Sequence, residues 1–272
     1  MKKTLSEIKK YGLKGEKEPF SFDRFFSRYL TWLFLRMELS ANQVTVLSLI
    51  VGCMGGVFYG MGGYISALVG GALVFLFIVL DSTDGEIARI RGQSSITGVY
   101  LESVTDSFVM LVYLMGFVYG SYDQSNVEFM LFSGVWLVIV YYMNEYIDYA
   151  AYAVVAISNR VSSKDLIRLD HINLSPRRLT DHYKRDSVLQ YYFGLLGFRG
   201  KFFGQMSVFL ATLLIAVLEF VLWSLGVGSA KYISDAYILC LTFLITISFT
   251  CRLYIIVTSG LIDEWVDNGN TQ

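Results

Sequence analysis

Five stretches of this chain, at residues 44–59, 67–80, 129–143, 208–218 and 236–251, contain no charged residue. Extended by neutral neighbours, each approaches the ~20 residues that a helix needs to cross a bilayer core. Such runs leave no room for an ordinary soluble domain. They predict an all-α integral membrane protein with six transmembrane helices, at roughly 42–62, 64–83, 99–120, 128–150, 205–226 and 233–258. The third is the weakest by hydropathy, because Glu102 and Asp106 occupy its first turns; its remainder, 107–120, is plainly apolar.

Two segments are neither spans nor tight turns. PFSFDRFFSRYLTWLFLR, residues 19–36, mixes aromatics with Arg24 and Arg28 one helical turn apart. That is the composition of an N-terminal amphipathic helix lying in the interface, aromatics in lipid and arginines at the headgroups. Residues 158–204 form a long polar connection with nine basic residues, four aspartates and both histidines. Within it, Ser175 and Pro176 before RRLTD read as a helix N-cap followed by Pro at the first helical position. The expected organisation is a cytoplasmic N-terminus with its interfacial helix over 1–38, a six-span domain over 39–260, and a tail over 261–272.

The net charge of −1 argues against a nucleic-acid partner. Cys53, Cys240 and Cys251 lie in apolar runs without CxxC spacing and read as core or lipid-facing residues. No cleavable leader is expected, since the first 28 residues are rich in charge. Basic residues crowd the segment before the first span, whereas the connections 60–63, 121–127 and 226–232 contain Lys231 alone. The positive-inside rule then places both termini, and the 81–106 segment, on the cytoplasmic side. In a bacterium the membrane is the plasma or inner membrane; in a eukaryote it is an internal one.

The segment DSTDGEIARIRGQSSITGVYLESVTD, residues 81–106, carries acidic residues at the ends of two apolar runs. Charge facing lipid is costly, so such groups face protein, water or an ion. Asp81 and Asp84 are three apart, Glu102 and Asp106 four apart, so each pair shares a helix face. If the second and third spans are antiparallel neighbours, two carboxylate pairs meet at their ends. Oxygen ligands of this kind suit Mg²⁺ or Mn²⁺, and without a cation they repel one another. Helix capping at two separate ends is the alternative, and it does not account for the matched placement of both pairs. Gly85 and Ala88 remove bulk beside the acids; Arg89 either meets a phosphate or reaches the headgroups. Ser94 and Ser95 offer an N-cap for the third span.

The order D-x2-D-G-x2-A-R-x8-G-x3-E-x3-D resembles the signature of the CDP-alcohol phosphotransferase family, which has Asp at all four acidic positions. Asp81, Asp84, Gly85, Ala88, Arg89, Gly98 and Asp106 match in residue and spacing, and Glu102 departs. SANQVT, residues 40–45, resembles the segment that opens the family's first span, with Ala41 in place of the usual Pro. The resemblance implies transfer of a phospho-alcohol group from a CDP-linked donor to an alcohol acceptor, with release of CMP, in phospholipid or glycan headgroup synthesis. It implies two bound Mg²⁺ or Mn²⁺ ions on Asp81, Asp84, Glu102 and Asp106, with Asp106 also the general base. It also implies a nucleotide pocket at Gly85, Ala88, Arg89 and Gly98, a membrane-lipid environment, and a homodimer. Glutamate at 102 moves the carboxylate outward by one methylene. That leaves three readings: compensation by the backbone, altered metal or donor preference, and a degenerate binder without turnover.

Further residues are substrate candidates. Asn42 and Thr45 belong to the segment that opens the first span. Glu145 and Asp148 share a face of the fourth, and line an acceptor pocket, add a cation ligand, or join helices through polar contacts. Arg177 and Arg178 in the long connection are candidates for an anionic substrate or headgroup. Glu219 reads as structural, and Arg252 either reaches the headgroups or meets a phosphate. A cation-coupled transporter is the competing function, disfavoured because the acids gather at one face and no paired broken helices are evident. The glycines Gly52, Gly56 and Gly60 recur every fourth residue, which reads either as a smooth face, for a helix of the same chain or of a second copy, or as the glycine enrichment ordinary in membrane helices.

Overall fold

The structure is a computed structural model that describes residues 22–93, 95–158 and 205–259. The Ser175–Pro176 cap, Arg177, Arg178, both histidines and the tail fall outside the described residues. So do the side chains of Asp148 and Arg252. Among the described residues there are seven α-helices: α1 (Phe22–Arg36), α2 (Ala41–Gly60), α3 (Tyr64–Arg91), α4 (Ile96–Ser125), α5 (Phe129–Ser158), α6 (Gln205–Ser224) and α7 (Ile233–Ser259). A 3₁₀ turn, Gly228–Tyr232, precedes α7. Six of these helices, α2 to α7, are long and apolar enough to cross a bilayer, and α1 precedes them. The chain is an all-α integral membrane protein.

Two compact units make up the chain, residues 1–131 with 209–235, and residues 132–208 with 236–272. In the first unit α2 lies between α3 and α4. The glycine face predicted from sequence packs inside the chain. A Cβ at Gly52 would meet the Val109 side chain at 2.5 Å, and one at Gly56 the Val112 backbone at 2.8 Å. A Cβ at Gly116 would fall against the Gly56 carbonyl oxygen, and one at Gly120 against that of Tyr59. The α2–α4 seam is therefore backbone against backbone, which only small residues permit. On the other side of α2, a Cβ at Gly55 would meet Val74 at 2.7 Å, and one at Gly70 the Gly55 carbonyl at 2.9 Å. Aromatic edges fill the remaining space: Tyr59 meets Tyr113 and Phe117 at 5.4 Å, and Tyr113 meets Phe209 at 4.7 Å.

Where the helices begin and end follows local chemistry. Ser40 caps α2 in a reciprocal box with Gln43. Gly92, left-handed at φ 66°, ends α3. Ser95 caps α4 by accepting from the Gly98 N–H at 3.0 Å. Three bounds differ from expectation, and one of them is the end of α5, which runs to Ser158 rather than near 150. α3 continues to Arg91 rather than ending near 83, so the whole D-x2-D-G-x2-A-R segment is helical. α4 continues to Ser125, where Asn126, left-handed at φ 56°, ends it, and Ser121 within the added turn donates to Asp235.

Glu219 has the structural role expected of it: buried, it accepts the Ser234 N–H at 2.8 Å and so caps the start of α7. In the second unit, Trp136 Nε1 donates to Thr246 at 3.1 Å, and Ser133 and Thr242 lie 3.5 Å apart, tying α5 to α7. The three cysteines are free thiols.

Candidate active site

A cleft of about 150 Å³ opens among the starts of α2 and α4 and the end of α3. α2 contributes Ala41, Asn42 and Thr45; α3 contributes Asp84, Gly85, Ala88 and Arg89; α4 contributes Gly98, Val99 and Glu102, with Gln93 and Ser95 from the connection. The sequence expectation had two walls, from the second and third spans. Because α2 runs between them, the cleft has three.

This third wall changes what Thr45 does. Its hydroxyl reaches Asp84 Oδ2 at 2.5 Å as well as the Ala41 carbonyl at 3.1 Å. Asp84 is 4% exposed, so this contact holds one of its oxygens in a fixed place. Thr45 lines the cleft, and it also orients an acid.

Arg89 is folded back over Gly85. A Cβ added there would meet the guanidinium Nη1 at 3.3 Å and Nη2 at 3.5 Å. The glycine thus lets a cation lie flat on α3 beside the acids, a closer fit than reach to the headgroups requires. Gly98 meets only the Ser95 hydroxyl, at 3.3 Å from an added Cβ, and leaves the α4 side of the cleft open.

Of the four acids in the signature, Asp84 and Glu102 line the cleft. Asp106, half-buried one turn below Glu102, lies within electrostatic reach of both Glu102 and Asp84. Asp81 is half-buried one turn before Asp84 and does not line the cleft. Among the described residues no three Asp, Glu, His or Cys side chains are gathered closely enough to grip a metal ion. The fit to a cation therefore rests on donor chemistry: mutually repelling carboxylates, one of them buried, with Arg89 near Asp84 to offset part of their charge. Glu145 lies half-buried on α5 beside the buried Asn144, in the second unit.

One acidic residue inside the quoted segment was missed. Glu86 is 1% exposed, buried more deeply than Asp84. Its Oε1 accepts from the Ser27 hydroxyl at 2.8 Å and its Oε2 from the Thr31 hydroxyl at 2.6 Å, both on α1. The rule that a charge among apolar residues needs a partner applies to it as well. Its partners lie 55 and 59 residues away, where no spacing within the motif points.

Residues 38–262 match the CDP-alcohol phosphatidyltransferase family. Over 77 residues the chain is 34% identical to the bifunctional IPC transferase and DIPP synthase of Aquifex aeolicus, and equally so to that of Archaeoglobus fulgidus. Those segments are 28% of this chain and only 17% and 15% of the two relatives. The fold is similar to that of the phosphatidylinositol phosphate synthase of Mycobacterium tuberculosis, whose crystal structure has CDP-DAG bound. The TM-score is 0.57 at 17% identity, covering 86% of this chain and 94% of that one. The match takes in the whole cleft and runs from the start of α2 past the end of α7; the chain belongs to the CDP-alcohol phosphatidyltransferase family.

Proposed function

We propose that this protein is a metal-dependent transferase that moves a phospho-alcohol group from a CDP-linked donor to an alcohol, releasing CMP. The observation that supports it best is the shared cleft: Asp84, Gly85, Ala88, Arg89, Gly98 and Glu102, scattered over two helices, all line it. Asp81, Asp84, Glu102 and Asp106 supply the oxygen donors that would hold Mg²⁺ or Mn²⁺, as two ions. Bound divalent cations neutralise charge on the pyrophosphate and on the departing CMP.

This chain's own residues do the rest. Thr45 fixes Asp84. Gly85 and Ala88 admit the nucleotide against the α3 backbone, and Arg89 meets a phosphate. Asp106 takes the proton from the acceptor hydroxyl as its oxygen bonds to the β-phosphorus. The bond from that phosphorus to the bridging oxygen breaks, and CMP leaves with the electron pair. The CDP-DAG held by the structural neighbour makes that lipid the first donor to offer. Small CDP-linked alcohols, the other donor class that the family resemblance implies, are the second.

The basic N-terminal segment supports a cytoplasmic cleft with both termini on that side. The family supports a homodimer. The test is CMP release by the detergent-solubilised protein with each donor class, with Mg²⁺ or Mn²⁺ and then with chelator, and with Asp106→Asn as control. Release that stops with chelator and in Asp106→Asn is expected. Nucleotide binding without release from any donor would instead mark a degenerate site.

A further inference from the structure

The signature segment of α3 has two working faces. At about 100° per residue, Glu86 lies roughly 200° around the helix from Asp84, on the side turned away from the cleft. That back face is fastened to α1. Glu86 accepts from both Ser27 and Thr31, all three being 1% exposed or less. Thr83 Oγ1 adds a long contact to the Ser27 carbonyl at 3.5 Å. Ile87, fully buried, packs in one cluster with Phe34 of α1, Val44 of α2 and Leu80 of α3.

The seat itself is unusual in composition. α1 exposes Phe25, Phe26, Tyr29 and Leu33 and turns the Ser27 and Thr31 hydroxyls inward. A buried carboxylate accepting two hydroxyl hydrogen bonds is directional in a way that apolar packing is not. It resists rotation of α3 about its own axis, the motion that would swing Asp84 and Ala88 off the cleft.

We propose that Glu86 is a positioning residue for the transfer reaction. Its seat on Ser27 and Thr31 keys the rotation of α3, so that a docked α1 is required for turnover although α1 contributes no residue to the cleft. The proposal rests on the transferase reading above.

The test compares the full-length protein with Glu86→Gln, Glu86→Leu and the pair Ser27→Ala/Thr31→Val in lipid nanodiscs. CMP release supplies kcat and KM for the donor, and hydrogen exchange is followed over 22–36 and 79–91. Glutamine keeps an oxygen acceptor and adds a donor that either hydroxyl accepts, so it retains kcat within about threefold. Leucine lowers kcat by about tenfold or more, a barrier change that leaves donor KM within about threefold. Exchange over 22–36 rises with it.

A folded Glu86→Leu with wild-type kcat overturns the proposal, and so does a raised KM with unchanged kcat. If Glu86→Leu does not accumulate, the hydroxyl pair is read by the same criteria. If the wild type releases no CMP, the transferase reading fails. The exchange arm then decides the seat alone: unaltered protection of 22–36 in the variants refutes it.

Discussion

At the scale of single residues, the cleft depends on side chains that hold other side chains. Thr45 is such a residue, since Asp84 is too buried for water to replace its hydroxyl. Removing a hydrogen bond to a buried carboxylate costs about 1.5–3 kcal/mol. Thr45→Val is accordingly expected to lower kcat/KM by about tenfold to a hundredfold, while Thr45→Ser, which keeps the donor, stays near wild type; CMP release across a Mg²⁺ titration checks both. Glu102→Asp shortens the one acidic residue that departs from the family pattern, and it should retain or raise metal-dependent turnover. Total loss in that variant would show that the glutamate reach is itself required. That Asp84, Gly85, Ala88 and Arg89 stand near Glu102 was legible in the sequence from their places at the ends of two apolar runs, and Gly98 was implied by the family resemblance. Glu86 was not, because its meaning lies in Ser27 and Thr31, and pairing across so many residues leaves no trace in local periodicity.

Among the helices, the decisive contact is the seam of α2 with α4. Its glycines were legible as a smooth face; what would cover that face was not, because a stripe of small residues reads alike for an internal neighbour and for a second copy. Gly56 and Gly116 touch backbone to backbone, while a Cβ at Gly60 would meet Gly116 only at 3.4 Å, an ordinary contact. Gly116→Ala is therefore expected to destabilise the protein by about 1–3 kcal/mol, the usual range for overpacking. Gly60→Ala should change little. Thermal unfolding of both variants in one detergent separates them, and equal melting temperatures would refute the seam. The extent of α3 was hidden for a related reason: hydropathy falls at Asp81, so the pattern ended the span near 83, whereas the helix runs on until Gly92 supplies the left-handed stop.

For the molecule as a whole, apolar run lengths alone were enough to read six spans, and the positive-inside asymmetry predicts their direction. Gly228→Cys, in the 3₁₀ turn, should react with an impermeant maleimide from outside intact cells. Gln93→Cys, beside the cleft, should react only after the membrane is opened. Labelling of both from one side would invalidate the proposed orientation. The glycine seam bears on the cleft as well. The small residues let α4 lie directly against α2, and Glu102 rides on that same helix 14 residues before Gly116, roughly 21 Å away. With α4 held there, lengthening or shortening the side chain at position 102 by one methylene would narrow or widen the cleft by about one carbon–carbon bond, roughly 1.5 Å. Adaptation of this scaffold to an ion of different radius would then run through a single codon, with the helices left where they are.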